Sequence, residues 1–246
     1  MKHEIYDNRQ LMGTSAAKQA AVRIRSLLAE QDAVNIIFAA APSQNEFLAA
    51  LTQEPDIDWK RVNAFHMDEY VGLDDAAPQR FGRFLEERIF GKLPFNVVNY
   101  IHGNAASADE ECNRYAVLLE KHKPDVVCMG IGENSHIAFN DPHVADFADP
   151  VLVKKVTLDE ACRQQQVNDG CFATLDQVPE HALTLTVPAL MRGRYIFCMV
   201  PGPTKAQAVM HTLQSSITEI YPATILRTHQ NAVLYLDKDS ASLLNQ

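Results

Sequence analysis

Residues 125–142, DVVCMGIGENSHIAFNDP, put an apolar run directly before two glycines and then crowd polar groups together. Val126–Met129 has the length and composition of a buried strand, and Gly130 and Gly132 break it as turn residues do. His136 follows, with Asn134 on one side and Asp141 on the other. A histidine near an amide and a carboxylate can move a proton, open a ring or hold a metal. Asp68 and Glu69 end another apolar run, Val62–His66. Adjacent strand residues point to opposite faces, so one of them faces a crevice and the other is structural. A partly desolvated carboxylate at such a place has a raised pKa and can abstract a proton. Lys205 opens a helix after a strand, where a cation and free amides can hold a phosphate. The plain alternatives are a solvated turn carboxylate, a histidine bonded within its own loop and a surface lysine. A metal reading would draw on His66, Asp68, His136, Asp141 and His143, but no metal-binding spacing supports it, and no metal is expected. GIGENS lacks the third glycine of a dinucleotide fingerprint, and neither Walker spacing nor GxSxG occurs.

The elements that position these residues alternate. Residues 14–31 have apolar positions at helical spacing, with Thr14 or Ser15 as the cap. Val34–Ala39 reads as a strand, followed by AAAPSQNEF, in which Ser43 and Glu46 fit a capping box for the next helix. Strands are expected at 62–66, 97–101, 126–129, 182–187, 195–200 and 232–236, and helices at 79–90, 107–121, 157–167 and 203–213. This pattern predicts an α/β fold: a three-layer, open, mostly parallel sheet with helices on both faces and Rossmann-like topology. In such sheets ligands sit beyond the carboxyl ends of the strands.

The 246 residues, 47% hydrophobic, suffice for one sizeable α/β domain, and no linker or repeat divides them, so a single domain over 1–246 is expected. A formal charge of −9 gives nucleic acid or an anionic membrane no general attraction, while a small anion can still find a local cation. Five cysteines without CxxC spacing read as reduced thiols in a cytoplasmic protein. No apolar run approaches a membrane span.

These residues resemble a known family. Phe65–Leu73, FHMDEYVGL, resembles the MDEYVGL signature of the glucosamine-6-phosphate deaminase (isomerase) family. Gly103-Asn104-Ala105 resembles its GNA turn, and Gly130 through Pro142 resembles its G-x-G-x-D-G-H-I-A-F-N-E-P loop. Val178-Pro179, Ala182-Leu183-Thr184 and Lys205-Ala206 follow its later landmarks in order. Phe139-Asn140 separates the chain from the sister 6-phosphogluconolactonases, which have Ser and an apolar residue there. The resemblance implies conversion of an amino sugar phosphate to a ketose phosphate and ammonia without a cofactor, in a protein that is often a homo-oligomer. Asp68 would move a proton between C1 and C2. His136 would open the pyranose ring, oriented by Asn134 and charge-stabilised by Asp141. Ser43, Glu69, Gly132, Arg163 and Lys205 would contact substrate, with the phosphate on Ser43 and Lys205.

The sequence departs from the family pattern at three places. Asn134 replaces the loop acid, so it can orient His136 but cannot stabilise an imidazolium by charge. Asp141 replaces Glu and is one methylene shorter. Ala39–Glu46 replaces a Gly/Thr-rich phosphate loop, removing glycines that let amides approach a phosphate and adding Glu46. The altered loop motivates rival readings: a sugar-phosphate sensor without turnover, an isomerase of a different sugar, or a lactonase-like hydrolase.

Overall fold

The computed structural model describes residues 1–244. The main sheet has seven strands: β1 (Lys2–Tyr6), β2 (Val34–Phe38), β3 (Val62–His66), β5 (Val97–Asn99), β6 (Val126–Met129), β9 (Tyr195–Val200) and β10 (Ala232–Asp237). Their spatial order is β1-β10-β9-β6-β2-β3-β5, and every pairing is parallel. Side chains alternate across it as the strand period requires. Ile36, Phe38, Val126 and Cys128 pack on one face with Met12, Ala16, Ala20 and Ile24 of α1 (Arg9–Glu30) and Phe47 of α2 (Asn45–Leu51). Ile37, Val127, Met129 and Cys198 pack on the other with Tyr115 and Leu119 of α4 (Ala108–Lys121) and Val209 of α7 (Ala206–Gln214). Both faces are thus covered, which is why β2, β6 and β9 read as nearly continuous apolar runs.

A second sheet lies outside that plan. β4 (Asp68–Tyr70) pairs antiparallel with β8 (His181–Leu185), and β8 pairs antiparallel with β7 (Val153–Thr157). The strand expected at 182–187 is therefore β8 of this small sheet, not a member of the parallel one. β1 escaped the sequence reading because KHEIY is a mostly exposed edge strand without an apolar run. β7 escaped because two adjacent lysines, Lys154 and Lys155, interrupt its apolar run.

Helix α1 starts five residues before the expected 14, at Arg9, and Asn8 rather than Thr14 or Ser15 caps it by accepting from the Leu11 amide at 3.0 Å. The expected capping box at Ser43–Glu46 is absent. Pro42–Gln44 form a 3-10 turn leading into α2 with no side-chain cap, and Glu46 is held by Arg9 instead. Residues 81–90 divide into α3 (Phe81–Leu85) and a π turn, Glu86–Phe90. α5 (Glu160–Asn168), capped by Asp159, and α6 (Val187–Met191) complete the helices used below. Among the described residues, no helix is long and apolar enough to cross a membrane.

Candidate active site

The chain leaves β2 toward β3 on one side of the sheet and leaves β6 toward β9 on the other. The carboxyl ends of β2 and β6 are therefore the topological switch point, where open α/β sheets open a crevice. A cavity of about 240 Å³ lies there. The loop after β2 brings Ser43, the chain after β3 brings Asp68, the loop after β6 brings Gly132 and His136, and the turn after β9 brings Lys205.

Each loop is tied down. Gln44 Nε2 donates to the Ser43 hydroxyl at 3.0 Å and to the Met129 carbonyl at 3.2 Å, joining the loop after β2 to the end of β6. The Phe139 amide donates to Thr184 Oγ1 at 3.0 Å, and Asn140 Nδ2 donates to the carbonyls of Ile137 and Leu185 at 2.9 and 2.8 Å. These bonds fasten the histidine loop to β8. The Asp237 carboxylate accepts from the Gly202 amide at 3.0 Å and so anchors the turn that carries Lys205 to β10. Asn104 braces the segment after β4, accepting from the Gly72 amide and donating to the Leu73 carbonyl.

Asp68 is buried, and among the described residues no group donates to its carboxylate. Burial, and secondarily the Glu69 carboxylate, push its pKa well above the ordinary aspartate range. A carboxylate without donors is a poor anion and a good proton acceptor. Glu69 does not reach the cavity, which corrects its expected role in substrate binding. Its carboxylate accepts from the amides of Tyr70, Phe81 and Gly82 at 2.9, 3.1 and 3.0 Å, and Arg80 stands 3.8 Å away. It fastens the start of α3, whose Phe81 stacks on Phe139 at the cavity wall.

His136 Nδ1 lies 2.7 Å from Asn134 Oδ1 and 3.0 Å from Asp141 Oδ1. Asn134 also accepts from the His136 amide at 3.1 Å and donates to Asp141 at 3.0 Å. With two acceptors around it, Nδ1 carries a proton, and Nε2 is left for chemistry. Asp141 reaches the ring despite its short side chain. Burial would raise its carboxyl, but His136 and Asn134 outweigh burial, and the pKa is lowered. Gly132 is where it is because a Cβ there would stand 2.2–2.4 Å from the His136 ring. Ser135 and Ala138, on either side of His136-Ile137, both have left-handed backbone, φ 69° and 47°, a strained arrangement typical of functional loops.

Lys205 is 5% exposed, and its ammonium has no acceptor among the described residues. Burial lowers its pKa, opposed by the charges of Asp169 and Glu133 and by Cys162. A buried, unpaired cation at a cavity wall awaits an anion. Arg163 does not supply a second one. Its guanidinium is held by the carbonyls of Leu175 and Val178 at 2.8–3.2 Å, away from the cavity, which corrects its expected place among the binding residues. Gln165, Gln166 and Asp169 line the cavity instead. With Cys162 they form an i, i+3, i+4, i+7 stripe on α5 and the turn beyond it. That polar stripe was visible in the sequence as a helix face too polar for a core. Arg9 also lines the cavity, brought there by the strand that sequence periodicity missed.

The five residues of the metal reading do not converge. His66 is committed to the Asp68 carbonyl and the Ile101 amide. A different trio, His136, Asp141 and Cys162, has its ligand atoms within 4.8 Å of one another, with His136 already engaged by Asn134 and Asp141.

A bare carboxylate, a histidine backed by a carboxylate and an unpaired lysine at the switch point of a parallel sheet define an α/β enzyme of proton transfer on an anionic substrate. The chain belongs to the family of glucosamine-6-phosphate isomerases and 6-phosphogluconolactonases, whose model matches residues 7–235. It is 33% identical over 211 residues to a glucosamine-6-phosphate deaminase of Listeria monocytogenes, covering 86% of this chain and 88% of the relative. It is 37% identical over 186 residues to one of Exiguobacterium, covering 76% and 71%. A solved structure described as a monomeric glucosamine-6-phosphate deaminase superposes with a TM-score of 0.90 at 27% identity over 99% of this chain and 100% of that one. A 6-phosphogluconolactonase from Trypanosoma brucei shares the fold, with a TM-score of 0.80 at 18% identity over 99% and 98%.

Proposed function

We propose that the chain is a cytoplasmic, cofactor-independent enzyme that isomerises and deaminates an amino sugar phosphate, glucosamine 6-phosphate or a close analogue. The observation that carries this reading is the Asp68 carboxylate, buried, without donors and facing the same cavity as His136 and Lys205. His136 Nε2 takes the proton of the C1 hydroxyl and delivers it to the ring oxygen as the bond from C1 to that oxygen breaks, which opens the pyranose to the aldehyde. Asn134 holds the ring of His136, and the Asp141 charge stabilises its protonated form. Asp68 then takes the C2 proton and returns it at C1. With one proton passing from the amino nitrogen to O1, this leaves an imine at C2, which water hydrolyses to the ketone with release of ammonia. Lys205 and the Ser43 hydroxyl hold the phosphate, and Gly132 leaves room for the histidine. The relatives named as glucosamine-6-phosphate deaminases support the substrate class. Five unpaired cysteines agree with a reducing compartment.

The test is ammonia release from a panel of hexosamine 6-phosphates, with Asp68→Asn alongside. Release by the parent and a loss of about 10²–10⁴-fold in the variant is expected. Equal turnover by the two proteins would remove Asp68 from the mechanism. Ketose formation without ammonia would point to a sugar lacking the amino group.

A further inference from the structure

We infer that Arg9 is the second cationic arm of the anion subsite, binding the substrate's phosphate together with Lys205, and that Glu46 is the clamp that limits its reach. This rests on the reading above that the substrate is a sugar phosphate.

The charge balance of the cavity calls for such an arm. Arg9 and Lys205 are the lysine and arginine side chains in its wall, while Asp68 and Asp169 are its carboxylates. The charge of Asp169 acts directly on Lys205. A phosphate dianion facing one lysine beside an aspartate would be left under-compensated in a partly desolvated site. Arg163 is bound elsewhere, and the loop after β2 has Ala39, Ala40 and Ala41 with none of the glycines that ease close approach of backbone amides to a phosphate. Arg9 is the remaining cation that the fold delivers.

Its delivery is built into α1. β1 is parallel to its neighbours, so its carboxyl end opens on the same edge as the other functional loops, and Arg9 is the first residue of the helix that follows. At Gly13, one turn on, a Cβ would stand 2.6–2.8 Å from Glu46 and the Phe47 amide. That missing Cβ lets the α1 backbone lie directly on α2 and brings Arg9 to Glu46. Arg9 Nε donates to Glu46 Oε1 at 2.7 Å, and Nη2 donates to Glu46 Oε2 at 3.0 Å and to the Pro42 carbonyl at 2.8 Å. Nη1 has no partner among the described residues. Nη2 thus grips the residue immediately before Ser43, and Nη1, with two N–H donors, is the end left for an oxyanion. Glu46, which the sequence suggested as an added negative charge near the phosphate, is neutralised by this pair.

The experiment is calorimetric titration of the full chain with inorganic phosphate, for the parent, Arg9→Gln, Arg9→Lys and Glu46→Gln. Steady-state kinetics on whichever sugar phosphate is turned over run in parallel. Loss of a hydrogen bond to a charged group predicts that Arg9→Gln weakens phosphate binding about tenfold or more, with the loss falling on KM rather than kcat. Arg9→Lys recovers part of it. Glu46→Gln breaks the same pair but keeps the cation, and it holds or tightens phosphate. Equal weakening by Arg9→Gln and Glu46→Gln would show a structural tie between α1 and the loop and overturn the assignment, as would unchanged binding in Arg9→Gln. Should Arg9→Gln fail to fold, Glu46→Gln decides: weaker phosphate binding overturns the inference, and equal or tighter binding supports it. Phosphate binding is read without turnover. Arg9-dependent binding with no ammonia from any hexosamine phosphate would sink the amino sugar reading while leaving Arg9 in place.

Discussion

Asp68 and Asp141 are both buried, and their surroundings push them in opposite directions. Asp68 is desolvated without a compensating donor, so its pKa is raised. Between the unfolded aspartate pKa and that raised value the folded protein binds more protons than the unfolded chain, and stability falls as pH rises. Asp68→Asn removes this cost. Its melting temperature should exceed the parent's at neutral pH, with the gap closing in acid, while its turnover is expected to fall. A melting temperature below the parent's at every pH would mean that the carboxylate is structural. The kcat/KM of the parent should lose its acid limb above the usual aspartate range, since the base must be ionised. Asp141 works the other way: its lowered pKa contributes stability that is present above the ordinary aspartate pKa and is lost as pH falls through the lowered value. Asp141→Asn should therefore melt lower than the parent at neutral pH and lose kcat more than KM, and a variant as stable and active as the parent would break the link to His136. Asp68, His136, Asn134 and Asp141 could be read from residue type beside a strand end. Arg163 and Glu69 could not, because what satisfies each of them, two carbonyls or three amides, comes from segments distant in sequence or from the next turn.

Among the described residues, the histidine loop holds two of the three non-glycine residues with left-handed backbone, Ser135 and Ala138, the third being Asp56. Ser135 sits at φ 69°, where the resembled family loop has glycine. An L-residue there costs roughly 1–2 kcal/mol, and glycine returns part of the gain as unfolded-chain entropy, about 0.5–1 kcal/mol. Ser135→Gly should stabilise the chain by about 0.5–1 kcal/mol in urea unfolding, and a destabilised variant would show that the serine side chain matters more than its backbone. The central strands of the parallel sheet, β2, β3, β6 and β9, were legible because each is buried almost throughout. The antiparallel β4-β8-β7 sheet was not, because three-residue β4 and lysine-bearing β7 have too little period-2 signal to stand apart from loops. Arg9 was lost with β1 for the same reason.

At the scale of the whole molecule, the sheet order decides where substrate can bind, and it places the loops after β2, β3, β6 and β9 on one edge. The homo-oligomer implied by resemblance contrasts with the solved relative described as monomeric. Sedimentation velocity separates the two: a single species near the chain mass of 27.4 kDa would overturn the oligomer, and a multiple of it would support one.

β4 carries its two carboxylates back to back, one toward the cavity and one toward the start of α3. The ladder pairs Asp68 with Thr184 and Glu69 with Leu183, and the Leu185 amide donating to the Met67 carbonyl at 2.8 Å closes it. Which acid does the chemistry is then a matter of parity. A slip of one residue along β8 would put Glu69 in the cavity seat with Tyr70 under the helix, or Met67 in the cavity seat with Asp68 under the helix. Either slip leaves a single acid seated, so one residue inserted into or deleted from this strand would cost the cavity its carboxylate or α3 its anchor.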